Sequence, residues 1–209
     1  MARVAHLDQL ERIQAAGVNW LPVRRALGIT GFGVNAYKAD RGERLIEEHE
    51  ESGGGAGAHE ELYVIVSGHA TFNIDATEID APTGTLVFVP EPTSRRGAIA
   101  RADGTTALVV GGPAGTIRPS PWEYYFAALP AAEADEPAEA YKIAAAGLTT
   151  HPDNPSLHYN LACFASRAGD ADRAFEHLAR AFAGDPRTRE WAQTDSDLDT
   201  VRADPRWAR

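Results

Sequence analysis

His49, His59, Glu61 and Tyr63 are the side chains whose types and spacing can do chemistry. His59 precedes Glu61 by two residues and Tyr63 follows it by two, inside an apolar, β-branched run. Strand alternation puts all three on one face. His49 stands across the loop Ser52-Gly53-Gly54-Gly55-Ala56-Gly57, whose glycines allow the chain to return it to that face. Two imidazoles and a carboxylate are a common ligand set for Zn, Fe, Mn or Ni, with positions left open for water or a substrate. Glu61 or Tyr63 would then assist proton transfer. The plainer alternative is structural. His49, within Glu47-Glu48-His49-Glu50-Glu51, is then a solvated residue on a charged edge, His59 a loop-end histidine bonded to backbone, and Tyr63 core.

Such residues need a sheet to hold them. From about residue 31 to 118 the chain reads as short strands: Gly31–Tyr37, Arg44–Glu50, Glu61–Val66, Ala70–Ile74, Thr85–Val89, Arg96–Ala100 and Thr105–Val110. Turn signals separate them, among them Ser67-Gly68, Pro82-Thr83-Gly84 and Pro90-Glu91-Pro92. Many short strands punctuated by Gly and Pro predict an all-β sandwich or barrel. Residues 1–30 read as a lead-in with a short helix on Leu7, Leu10 and Ile13, broken at Gly17 and Pro22.

Two blocks in this region resemble the two motifs of the cupin superfamily. Glu61 and Gly68 match the glutamate and glycine of the first motif; Gly84 and Pro90 match the glycine and proline of the second. The resemblance implies a small antiparallel β-barrel of jelly-roll type with a ligand inside, and often one metal ion. Its histidine positions fall at Gly54 and Ala56, or at Gly55 and Gly57, and Arg95 stands for the histidine of the second motif. None of these supplies the usual ligand. An arginine there repels a cation, and pairs instead with Glu61 or with a substrate carboxylate. Arg95 and Arg96 alternate faces; the motif favours Arg95 as the inward one. Asn73 and Thr71 are expected to line the interior from the next strand.

From about residue 135 onward the texture is helical, rich in Ala and Leu. Ala140, Tyr141, Leu148 and Pro152 recur 34 residues later as Ala174, Phe175, Phe182 and Pro186. That period resembles the tetratricopeptide repeat, a helix-turn-helix unit that often recruits protein partners. Residues 119–134, holding Trp122, Tyr124, Tyr125 and Phe126, read as a linker whose aromatic cluster packs. His151, His158 and His177 share no face and form no site, and Cys163 reads as buried packing. The fold class is therefore α+β: lead-in 1–30, barrel 31–118, linker 119–134 and helical region 135–209.

A formal net charge of −10 argues against nucleic acid and anionic membranes as partners. One cysteine allows no internal disulfide and suits a reducing compartment; charges from Arg3 onward leave no signal-peptide core. A cytoplasmic, bacterial protein is expected, by default a homodimer. Two functions stay open. One is a metal-free module in which Arg95, Asn73 and Glu61 bind a small polar ligand while the helices recruit a protein. The other is an enzyme of isomerase, lyase or oxygenase type, holding one divalent ion through His49, His59 and Glu61 and acting on a small carbonyl or carboxylate compound. The missing motif histidines favour the first.

Overall fold

The computed structural model describes residues 1–53 and 55–207; Gly54, one of the motif positions above, lies outside them. Two compact units are present, Met1–Ile117 and Arg118–Arg209.

The first unit contains ten strands among the described residues: β1 (Ile13–Ala15), β2 (Val18–Leu21), β3 (Gly33–Ala39), β4 (Arg44–His49), β5 (His59–Ser67), β6 (His69–Ile74), β7 (Thr77–Pro82), β8 (Leu86–Val89), β9 (Arg96–Ala100) and β10 (Thr105–Pro113). They form two antiparallel sheets, β1-β2-β3-β10-β5-β8 and β4-β9-β6-β7. Alternation sends Tyr63, Ile65, Val87, Val89, Ala107 and Val109 from the larger sheet against Leu45, Ala70, Phe72, Ala81, Ala98 and Ala100 from the smaller. The arrangement is compatible with a cupin-like fold. A second apolar cluster, Leu21, Val23, Val34 and Ala36, sits on the other face of β2 and β3, with the short helix α1 (Val23–Leu27) against it.

The expected N-terminal helix is absent. Leu7–Gln9 is a single 3-10 turn, and Ile13 lies in a hairpin strand. Ala16 and Gly17 both have positive φ, 50° and 79°, the backbone of a tight two-residue hairpin turn, which a helix cannot accommodate. Gly68, matched to the first motif, also has positive φ, 80°, and a Cβ there would lie 2.6 Å from the Cα of Thr105. The obstacle is backbone, so it cannot swing away. Gly68→Ala is expected to destabilise this unit by about 2 kcal/mol, read as a lower denaturation midpoint at unchanged m-value; an unchanged midpoint would contradict that packing.

The second unit is helical: α2 (Pro121–Glu133), α3 (Pro137–Ala145), α4 (Pro155–Arg167), α5 (Ala171–Gly184), α6 (Arg187–Trp191) and α7 (Asp199–Arg202). Each of α2 to α5 packs on the next, and α4 and α5 are joined by a turn through Gly169 at φ 79°. The supposed linker is α2 itself. Ser120 and Glu123 form a reciprocal capping box, with Pro121 in the first turn. Its Tyr125 stacks on Phe164 of α4 at 6.2 Å, whereas Trp122 and Phe126 are exposed. Leu198 and Val201 are buried with Tyr159, Cys163 and Leu178. Among the described residues no helix is long and apolar enough to cross a membrane.

Candidate functional site

The start of β5, the end of β4 and the start of β9 meet at one end of the sandwich, and their polar side chains converge there. Register is the cause. β5 sets Glu61 opposite Gly111 of β10 and Val89 of β8, while β4 sets His49 opposite Arg96 of β9. Two irregularities in the β4–β9 pairing re-aim β4, which is why Leu45 and Ile46 are both buried before His49. Gly111 leaves room for the carboxylate: a Cβ there would stand 3.2 Å from Glu61 Cγ and 3.0 Å from the carbonyl oxygen of Glu60.

Glu61 is the hub. Its Oε2 accepts the Tyr63 hydroxyl hydrogen at 2.5 Å, with His49 Nε2 at 3.6 Å and Arg96 Nε at 3.5 Å. Burial alone would push this carboxyl up; the His49, Tyr63 and Arg96 contacts outweigh it and hold Glu61 below the usual carboxylate range. The Glu61 contact in turn raises His49. Burial, then the Glu61 charge, pushes the Tyr63 phenol far up, so it stays a donor. Tyr63 packs edge-on against Phe72 at 5.3 Å, which fixes its ring.

Glu51, which follows β4, was not singled out by the sequence. Its Oε1 lies 3.7 Å from His49 Nε2 and its Oε2 3.8 Å from His59 Nδ1. Burial and the nearby Glu61 raise its pKa. Tyr37 of β3 is the other omission: half-buried, it is pushed up to about 12 by burial and by Glu61 and Glu51. A tyrosine on a strand gives no sequence signal of its own, and Glu51 was hidden in an acidic run.

His49 and Glu61 lie side by side, and His59 stands beside them, 3.8 Å from Glu51. Ligand atoms of His49, Glu51 and Glu61 all lie within 4.8 Å of one another. A backbone carbonyl can only accept, so His49 Nδ1–H donates to Glu47 O at 2.7 Å; that leaves Nε2 free to ligate. Two carboxylates and an imidazole nitrogen at this spacing fit a divalent cation. Arg96 opposes it, though its charge is already matched to Glu61.

Arg95 and Asn73 point the other way. Arg96 is the inward arginine, at 0% exposure, while the Arg95 side chain is 67% exposed and paired with Glu48. Register decides this: Ala98 and Ala100 face the core, so Arg96 shares their parity and Arg95 cannot. On β6 the inward residues are Ala70, Phe72 and Ile74, which sends Thr71 and Asn73 outward. Arg95, Asn73, Thr71 and Arg44 line a groove of about 550 Å³ on the other face of the smaller sheet.

In the helical unit two histidines expected to be unrelated are bonded. His158 of α4 and His177 of α5 share a contact of 2.8 Å between their Nδ1 atoms, both nearly fully buried. They lie on successive helices, so periodicity within either one could not reveal the pair. Cys163 is buried, as expected, 3.7 Å from Asp195, and burial drives its thiol pKa far up.

No family model matches the chain, and no curated protein does. Solved structures similar to it include a sugar phosphate isomerase of the cupin superfamily from Silicibacter pomeroyi, at 22% identity and a TM-score of 0.44, with 53% of this chain and 75% of that one covered. A cupin protein from Bacteroides fragilis is 21% identical, with a TM-score of 0.41 and coverage of 54% and 91%. The nucleoside dehydratase Pac13 of Streptomyces is 16% identical, with a TM-score of 0.41 and coverage of 54% and 83%.

Proposed function

We propose that the first unit is a cupin-type small-ligand-binding barrel that holds one divalent cation through His49, Glu51 and Glu61. The observation that carries this reading is the convergence of those three ligand atoms within 4.8 Å, two of them carboxylates whose mutual repulsion a cation relieves. A divalent ion there supplies Lewis acidity and open positions for a ligand. Tyr63 orients Glu61, because its proton is already donated to that carboxylate, and His59 stands beside Glu51, its Nδ1 3.8 Å from Oε2.

A second, metal-free reading is supported by the 2.5 Å Tyr63 contact and the Arg96 pair, which occupy the Glu61 oxygen without a cation. One titration separates the two. Calorimetry of the full chain with Mn²⁺, Zn²⁺, Ni²⁺ and anaerobic Fe²⁺ is expected to find one ion bound per chain. Binding should weaken by about a hundredfold or more in His49→Ala and Glu61→Gln. Uptake of none of the four would end the cation reading and leave the metal-free one.

The second unit, on this reading, is tetratricopeptide-type and offers a surface to a protein partner. The support is the 34-residue recurrence of Ala140 and Tyr141 as Ala174 and Phe175, together with the α4–α5 hairpin.

A further inference from the structure

We infer that a corner cavity at the open edge of β3 binds a phosphate monoester carried on a planar ring, the chemistry of a nucleoside monophosphate. The site is independent of the cation reading above, since none of its residues belongs to the His49, Glu51 and Glu61 cluster. β2 ends at Leu21, opposite Ala36, so among the described residues no strand lies on that side of β3 from Gly33 to Asn35. The chain returns through α1 and turns at Gly28, whose φ of 64° is left-handed. The corner so enclosed is a cavity of about 400 Å³, lined by Trp20, Arg24, Arg25, Ile29, Thr30 and Asn35. That volume suits a small organic ligand.

Charge selects the phosphate. The chain carries 30 acidic against 20 basic residues, yet no carboxylate lines this cavity. Elsewhere surface arginines find one: Arg95 pairs with Glu48, Arg187 with Asp185 and Arg206 with Asp204. Arg24 and Arg25 are exposed and have no ion pair among the described residues. Arg3 adds a third cation at the rim. Its Nη1 donates to Leu27 O at 3.0 Å, and a Cβ on Gly28 would run into that guanidinium. Neighbouring guanidinium forks without a carboxylate are a receptor for anionic oxygens. A phosphate monoester brings three of them and a charge of about −2 at neutral pH, enough to answer more than one arginine; a carboxylate brings a single charge. Thr30 and Asn35 supply neutral donors beside it. The ring follows from the rest of the lining. Trp20 and Ile29, both half-buried, form the apolar part of the wall. An indole is a stacking surface for any base and does not choose among them.

The test is calorimetry of the full chain with AMP, adenosine and inorganic phosphate, in EDTA so that no divalent ion takes part. One AMP is expected per chain. Adenosine and phosphate should each bind at least about tenfold more weakly, because each fills only part of the site. Arg24→Gln combined with Arg25→Gln should weaken AMP by about thirtyfold or more and leave adenosine unchanged. Both arginines face solvent, so this variant keeps the native fold. Trp20→Leu should weaken AMP and adenosine by about tenfold and leave phosphate unchanged. No binding of AMP, or equal binding by wild type and the double arginine variant, would overturn the inference. Phosphate held as tightly as AMP would overturn the ring's part in it. The comparison of three probes on wild type needs no variant, so a poorly folded Trp20→Leu does not block the test.

Discussion

Arg96→Met is expected to destabilise the first unit by about 3 kcal/mol, and adding Glu61→Gln to the same chain is expected to recover most of the loss. Methionine fills much of the arginine stem's volume, so the change is chiefly one of charge. Glu61, whose side chain is 12% exposed, would lose its one permanently charged partner while Glu51 stays nearby. The contacts of Glu61 with Tyr63 and His49 soften the effect, which places it at the low end for a broken buried pair. The double variant removes both charges and leaves an amide that can still accept from Tyr63. Hydrogen exchange on peptides covering β5 and β9 is the suitable readout, because it isolates this unit from the helical one. Protection should fall by about a hundredfold in the single variant and return most of the way in the double. A single variant as protected as the native chain would show that Arg96 and Glu61 do not depend on each other.

The same pair shows where the sequence stopped being informative. Strand identity in the first unit was legible because Gly68, Gly84, Pro82 and Pro90 punctuate runs of Val, Leu and Phe, and that signal is local. Which arginine faces inward was not, because parity on β9 is set by its pairing with Ile74 and His49 on other strands. A one-residue slip exchanges Arg95 for Arg96 and moves the charge from a surface groove into the core. The β4 irregularities hid Glu51 in the same way: strict alternation fails where the strand is bulged. By contrast, the start of α2 was written in Ser120-Pro121-Trp122-Glu123, and the aromatic residues that follow drew attention from it.

The helical unit is expected to lose about 3 kcal/mol of stability between pH 6.5 and pH 4, through His177. Hydrogen-bond direction explains why. Pro152 O can only accept, so His158 Nε2 carries a hydrogen and its Nδ1 is the acceptor. His177 Nδ1–H must then donate to it at 2.8 Å, and His177 Nε2 accepts from the Tyr141 hydroxyl at 2.8 Å. Every site in this chain is filled while both rings are neutral, so an added proton meets a donor. Burial, and then electrostatic interaction with the adjoining His158 ring, lowers the His177 pKa to about 4; Arg180 and Arg173 add to this and Glu176 opposes it. The sign follows: the unfolded chain takes up the proton as pH falls through 6.5, whereas the folded chain refuses it until about 4. Stability is therefore full above that window and declines through it by up to about 1.4 kcal/mol per pH unit. Asp197, held above its usual value by burial and Asp195, works in the opposite direction, and does so equally in a His177 variant. Urea unfolding of wild type and His177→Gln, followed by hydrogen exchange on α4 and α5 peptides, isolates the histidine. The variant should be less stable at pH 7, with Tyr141 and His158 short of a partner, yet much less sensitive to acid. Identical slopes in the two proteins would remove His177 from the account and place the acid sensitivity of these helices elsewhere.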